Sequence, residues 1–508
     1  MSFDLKTFKD NLFSKKTADE FLAESKNSGL KKTLNGFDLI MLGIGAVIGT
    51  GIFTIIGIAA AGGPESLGAG PALVISMLIA MLACLFSALC YSEFAAMFPV
   101  AGSSYTYTYA TMGEFMAWMI GWVLMLEYAI GNITIVSAWT GYFFEFLKGF
   151  SHILPSWVVN PPVYLINDYR TAVTTYTNMG LDPSVEIPKI FGVIPFCLNL
   201  PGILLVLILT MLLVRGIKES TRAATIMVFI KLAVIFLFIF AGAFYVRPEN
   251  WTPFAPNGVH GIISGAFIIF FAYVGFDAIS TAAEETKEPQ KNLPIGLIGT
   301  LIICTIVYIL TSLVLTGIVP IDKINTVAPI AAAMNSTGNN ALAGLISVGA
   351  LAGLTSVLLV YQLGTTRILY AMSRDGFLPK VFQDIHPKYK TPHVITWVSG
   401  IIVIVGALFM DLSISAELCD FGTFASFTIV CLAVLILRKK DPKRYRPFKV
   451  PFVPLFPILG ILFCGGLMVY SLFTLGTSAF LFPLWIVIGV VFYFIFCYQN
   501  LRKIKSSK

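Results

Sequence analysis

Leu42-Gly43-Ile44-Gly45-Ala46-Val47-Ile48-Gly49-Thr50-Gly51-Ile52-Phe53 reads as an apolar helix interrupted by four glycines, with Thr50 between the last two. Each glycine costs a helix roughly 1 kcal/mol relative to alanine, so the run is helical only up to a point. A second stretch shares this character. Phe270-Phe271-Ala272-Tyr273-Val274-Gly275-Phe276-Asp277-Ala278-Ile279-Ser280 places a glycine and then a carboxylate inside another apolar run. Glycines in membrane helices also serve close packing, and for the first stretch alone that explanation stands beside a break. The pairing of the two stretches favours breaks.

Working outward, apolar runs recur along the whole chain. It has 508 residues, 57% hydrophobic and 12% charged, with a mean hydropathy of +0.84. A soluble domain carries about 25% charged residues, so lipid is the main solvent for this fold. Between charged punctuation the runs give twelve segments: 37–61, 71–97, 113–147, 197–215, 223–246, 258–284, 295–319, 340–371, 393–410, 416–437, 452–475 and 480–500. The third and eighth are long for a ~30 Å hydrocarbon core and are expected to tilt or project.

Basic residues sort onto two faces under this count. Residues 1–35, the links after spans 4, 6, 8 and 10, and the tail hold 28 of the 34 lysines and arginines. The opposite face holds Lys148, Arg170, Lys189, Arg247 and Lys323, and Lys231 is left over inside span 5. By the positive-inside rule both termini are cytoplasmic. The net charge of +7 then reflects membrane orientation and gives no reason to expect nucleic acid.

The interrupted spans 1 and 6 each open a five-span half, 1–5 and 6–10. Five is odd, so the halves enter the membrane from opposite sides, the layout of an inverted repeat with a midplane site at two broken helices. Unwinding near Gly49–Gly51 presents N–H groups at the start of a half-helix, which suits a carboxylate. Carbonyls left open near Val47 and near Phe271, Ala272 and Val274 suit an ammonium. Together they accept both ends of an α-amino acid through backbone alone.

Two ionisable residues lie deep in spans, where they are expensive and mark an ion path or pocket. Glu127 sits in the middle of span 3, and a single structural hydrogen bond is the alternative for it. Lys231 sits nine residues beyond Arg222, so snorkelling over about 13 Å to the cytoplasmic surface is the alternative there. Asp277 is expected to cap the second half of span 6. Glu284 and Glu285 read as a solvated helix end, and Glu93 near the end of span 2 admits either reading. The eight cysteines and four histidines have no zinc-ligand or redox spacing, so no cofactor or metal is expected. The polar segment 1–35, with Phe3, Leu5, Phe8, Leu12 and Phe13, suits either a surface-lying helix or disorder. The loop from His152 to Pro195 is expected outside, as are Asn250-Trp251-Thr252 and Asn335-Ser336-Thr337, which fit the glycosylation pattern.

The two interrupted stretches, continued to Glu285, and Met372-Ser373-Arg374-Asp375-Gly376-Phe377-Leu378-Pro379 resemble the amino acid–polyamine–organocation superfamily. Within it the chain is similar to bacterial cationic amino acid transporter-like permeases, from about Leu30 to the tail. The resemblance implies an all-α polytopic protein of the LeuT type. Its core is a five-plus-five inverted repeat over 36–440 with helices 1 and 6 broken, and 441–508 adds two spans, for twelve in all. It implies substrate contacts at Val47, Thr50, Gly51, Phe271, Ala272 and Val274, and an acidic position at Glu127. It places Lys231 where sodium-coupled relatives hold sodium, so protons are the implied coupling ion. Tyr361 falls in the pocket wall of helix 8, where relatives often have a smaller or more flexible residue, and the family name does not settle the side chain carried. The expected function is import of L-amino acids across the cell membrane by alternating access. A polyamine antiporter and a non-transporting amino acid receptor are the other possibilities, and oligomeric state is not legible. An enzyme is disfavoured, since no nucleophile–base pair, ligand set or nucleotide motif stands in the cytoplasmic loops.

Overall fold

A computed structural model describes residues 34–498 apart from 64–65, 101, 192–193, 216, 284–285, 390 and 475, together with 14–16, 20 and 32. The expectations for Phe3 to Phe13, for Glu284 and Glu285, and for the tail beyond 498 lie outside the described residues. Among the described residues the structure is mainly helical, with two antiparallel hairpins of two residues per strand, Gly62–Gly63 with Ser66–Leu67 and Lys189–Ile190 with Ile194–Pro195. Among the described residues nine helices are long and apolar enough to cross a membrane. A tenth candidate is a pair bent by 46°, and two apolar helices, Leu200–Arg215 and His393–Phe409, are shorter. This is an all-α polytopic membrane protein.

The bent pair is α1 (Gly36–Val47), begun by a capping box between Asn35 and Asp38, and α2 (Ile56–Ala61), entered through a π turn at Gly51–Ile55. Next come α3 (Leu73–Met97), α4 (Ser104–Met112) and the 35-residue α5 (Glu114–Lys148), which has its own π turn at Leu126–Ile130. At 1.5 Å per residue α5 is about 52 Å long, so it outruns the hydrocarbon as expected. Then follow α6 (Leu200–Arg215), α7 (Ile217–Gly242) and α8 (Gly258–Phe270). Span 6 does not continue as one helix. A 3₁₀ turn over Phe271–Tyr273 and a non-helical stretch separate α8 from α9 (Ala278–Thr281). The remainder is α10 (Pro289–Ile318), α11 (Asn340–Arg374), α12 (His393–Phe409), α13 (Leu412–Lys440), α14 (Leu455–Thr474) and α15 (Thr477–Phe492).

Packing sorts these into groups. The helices α1 and α3 lie against α10, and α8 lies against α3. Separately, α11 packs on both α5 and α7, and α6 pairs with α12. The last pair lines the periphery, α14 on α13 and α3, α15 on α5 and α13, and turns apolar side chains outward, with Phe473 85% and Phe480 70% exposed. Such faces suit acyl chains.

Two polar anchors and a small apolar core tie loops to this frame. Glu93 at the end of α3 is buried and accepts from Arg438 (2.9 and 2.7 Å), Arg446 Nε (3.1 Å) and the Val450 N–H (2.8 Å). Its ambiguity resolves to a structural ion cluster, fully paired as burial requires. Lys16 reaches Asp375 at 3.0 Å, and Asp375 also accepts from Tyr105. The link between α5 and α6, expected as a loop, contains the helix Tyr169–Asn178 and a small core of Ala172, Tyr176, Ile187 and Cys197.

Candidate binding site

The two helix breaks touch. Gly51 packs so closely on the other break that a Cβ there would lie 2.3 Å from Ala272 Cα. Only glycine permits this approach of backbone to backbone. On the helix 6 side Val274 is extended (φ −61°, ψ 139°) and Gly275 has φ +104°, a conformation that a side chain disfavours.

Breaking a helix leaves backbone groups open at both ends. Among the described residues, the N–H groups of Gly49, Thr50 and Gly51 have no acceptor, and the buried Thr50 hydroxyl has no partner either. The carbonyls are distributed between two side chains. Lys231 Nζ, fully buried, donates to Gly45 O (2.7 Å), Ile48 O (2.6 Å) and Ser356 Oγ (3.2 Å). This contact removes the snorkelling alternative, because the ammonium turns inward onto the broken helix. Tyr308 Oη, from the middle of α10, donates to Ala272 O (2.7 Å) and Val47 O (3.0 Å). Phe271 differs from expectation: its carbonyl closes the 3₁₀ turn with the Val274 N–H at 3.2 Å and so is not open.

Tyr361 reaches the same place. Its ring fills the space beside Gly275 and Gly131 and meets the Tyr128 ring edge-on at 5.5 Å. Val47, Thr50, Gly51, Phe271, Ala272, Val274, Tyr361 and Lys231 therefore surround one pair of breaks. Glu127 joins through its neighbours. It lies in the π turn of α5, fully buried and facing Asp277. Asp277 Oδ2 accepts from Tyr128 Oη at 2.7 Å, while Asp277 Oδ1 and both Glu127 oxygens find no donor among the described residues. The expectation that Asp277 caps α9 is corrected: its side chain makes no capping bond and turns toward α5 instead. Both carboxylates are buried within spans, where an ionised, unpaired carboxylate is costly.

Sequence reasoning missed Tyr308 and the partnership of Asp277 with Tyr128. A tyrosine within the apolar run 302–315 carries no spacing signal. The cue for Asp277 was its own expense in lipid, which capping explained away too readily.

A family model described as amino acid permease matches residues 34–500. A methylthioribose transporter of Bacillus subtilis (strain 168) is 42% identical over 487 residues, covering 96% of this chain and 98% of its own. The branched-chain amino acid permease BcaP of the same organism is 42% identical over 491 residues, with the same coverage. The chloroplastic cationic amino acid transporter 9 of Arabidopsis thaliana is 34% identical over 420 residues, 82% of this chain and 68% of that one.

Proposed function

Because the chain belongs to the amino acid permease family, within the amino acid–polyamine–organocation superfamily, and is a transporter rather than an enzyme, we propose that it imports L-amino acids with apolar side chains by proton-coupled alternating access across the cell membrane. The observation that carries this is the pair of touching breaks. Open N–H groups at Gly49, Thr50 and Gly51 suit a carboxylate, and the Val47 and Ala272 carbonyls, which have no backbone donor among the described residues, suit an ammonium. The apolar preference is supported by the Tyr361 ring at the break and by the relative named for branched-chain amino acids. Protons are the coupling ion in this proposal, carried at Lys231 with the Glu127–Asp277 pair as a second group. Residues 36–440 form the inverted repeat of ten spans and 441–508 add two, with both termini cytoplasmic, a topology supported by the segregation of basic residues.

The test is counterflow in proteoliposomes. Labelled leucine should accumulate against preloaded leucine, while leucinamide and isoamylamine, which offer no anion to the N–H groups, should fail to compete. Strong competition by putrescine or agmatine would favour polyamine exchange. Saturable binding without counterflow would make the protein a receptor. Within the same assay, Tyr361→Ala should admit phenylalanine with a several-fold gain relative to leucine, since it removes the ring beside Gly275. An unchanged profile would place Tyr361 outside the pocket.

A further inference from the structure

A buried tyrosine stands where the proposed site calls for a cation. The Tyr308 ring is fully buried and edge-on to Tyr273, with centroids 5.4 Å apart. Its hydroxyl lies 2.7 Å from the Ala272 carbonyl and 3.0 Å from the Val47 carbonyl, one from each helix break. A phenol has a single hydrogen, so it serves one of these carbonyls at a time and leaves the other short of a donor. An α-ammonium has three hydrogens and a charge. It serves both at once, and charge-assisted bonds are roughly twice as strong as neutral ones.

We propose that Tyr308 is the site's internal stand-in for the substrate ammonium, and that amino acid binding exchanges the tyrosine hydroxyl for the amine on the Val47 and Ala272 carbonyls. This rests on the placement of the amino group in the function proposed above. Two consequences follow from the count of hydrogens. In the empty protein the tyrosine keeps one of the two buried carbonyls paired at a time and bridges the breaks of helices 1 and 6. On binding, it sets a threshold for the ligand. A 2-hydroxy acid brings one hydrogen, as Tyr308 does, and gains nothing by the exchange, whereas an amine gains a bond and a charge. Tyr308 thus imposes one cost on every ligand, which an α-amino group more than recovers on the two carbonyls and a hydroxyl does not, without touching the side chain or the carboxylate.

The experiment compares wild type, Tyr308→Phe and Tyr273→Phe by calorimetric titration with leucine and with 4-methyl-2-hydroxypentanoate. Tyr273 also donates to a carbonyl, Met77 O at 3.2 Å, and so controls for losing a buried phenol. Removing the competing donor should tighten leucine and the hydroxy acid by a similar factor, at least about threefold, in Tyr308→Phe, because displacing the hydroxyl is a cost common to both. Tyr273→Phe should leave both affinities within about a factor of two. Weaker leucine binding in Tyr308→Phe would make the hydroxyl a direct contact of the bound substrate and overturn the stand-in. Unchanged affinities for both ligands would overturn it as well. A second readout needs no variant. In wild-type protein, saturating leucine should change a tyrosine C–O–H band in the infrared difference spectrum, and a spectrum without that change refutes the exchange. A wild type that binds no amino acid at all would instead remove the underlying functional reading.

Discussion

Lys231→Met should bind leucine yet show no uptake driven by an inward proton gradient, with counts falling to those of protein-free liposomes. The ammonium has three hydrogens and three acceptors, Gly45 O, Ile48 O and Ser356 Oγ, so in its charged form every bond is made. Hydrogen bonds from a charged group contribute about 1.5–3 kcal/mol each. A neutral amine has two hydrogens for the same three acceptors and presents a lone pair to the remainder. In the proposed coupling, losing the proton would loosen α7 from the broken end of α1, and regaining it would restore the tie. Methionine has the length of the stem without the charge, so it leaves the Gly45 and Ile48 carbonyls permanently short of a donor. The substrate contacts proposed at Gly49–Gly51 lie on the other side of the break, and binding should fall by less than about tenfold. Labelled uptake with and without a pH step, at matched membrane potential, decides the matter. Near-normal driven uptake in the variant would mean that the lysine only braces the fold.

Gly51→Ala should reduce leucine affinity by at least about a hundredfold and lower the melting temperature. The added methyl would fall 2.3 Å from Ala272 Cα and 2.4 Å from its Cβ, and backbone cannot rotate away. The two breaks must separate, which moves the open N–H groups and the Ala272 carbonyl apart. Overpacking of this kind costs about 1–3 kcal/mol in stability before any loss of binding. Gly49 gives the contrast. A methyl there would meet Val357 Cγ2 at 2.5 Å, a side chain that can be trimmed. Gly49→Ala should be milder, and Gly49→Ala with Val357→Ala should recover most of the affinity. No such partner exists for Gly51. Wild-type affinity in Gly51→Ala would show that close approach of the breaks is not needed for binding.

Much of this was legible in the chain itself, for identifiable reasons. The helix breaks announce themselves because glycine and aspartate are costly in an apolar run, so Gly49–Gly51 and Gly275–Asp277 stand out. Lys231 stood out as the one basic residue that fits neither face. What stayed hidden depends on partners distant in sequence. Tyr308 acquires meaning only when α10 brings it to Val47 and Ala272, and an isolated tyrosine in a span reads equally well as a lipid-facing ring. The π turn that aims Glu127 at Asp277 has no composition of its own, since Leu126–Ile130 would be ordinary in an α-helix. Capping was a sound local expectation for Asp277. It lost to a tyrosine 149 positions away in the chain.

The paired arginines on Glu93 bear on how the molecule can be divided. Arg446 and Val450 lie beyond α13, in the stretch that leads into the last two helices, yet they complete the neutralisation of a carboxylate belonging to α3. A chain cut after residue 440 would retain that carboxylate with Arg438 alone, stripped of one guanidinium and one amide in a buried position. The C-terminal pair is thus no detachable appendage. Chimaeras that exchange it between relatives must carry the donors at 446 and 450 with it, and a shortened version without it would have to lose Glu93 as well.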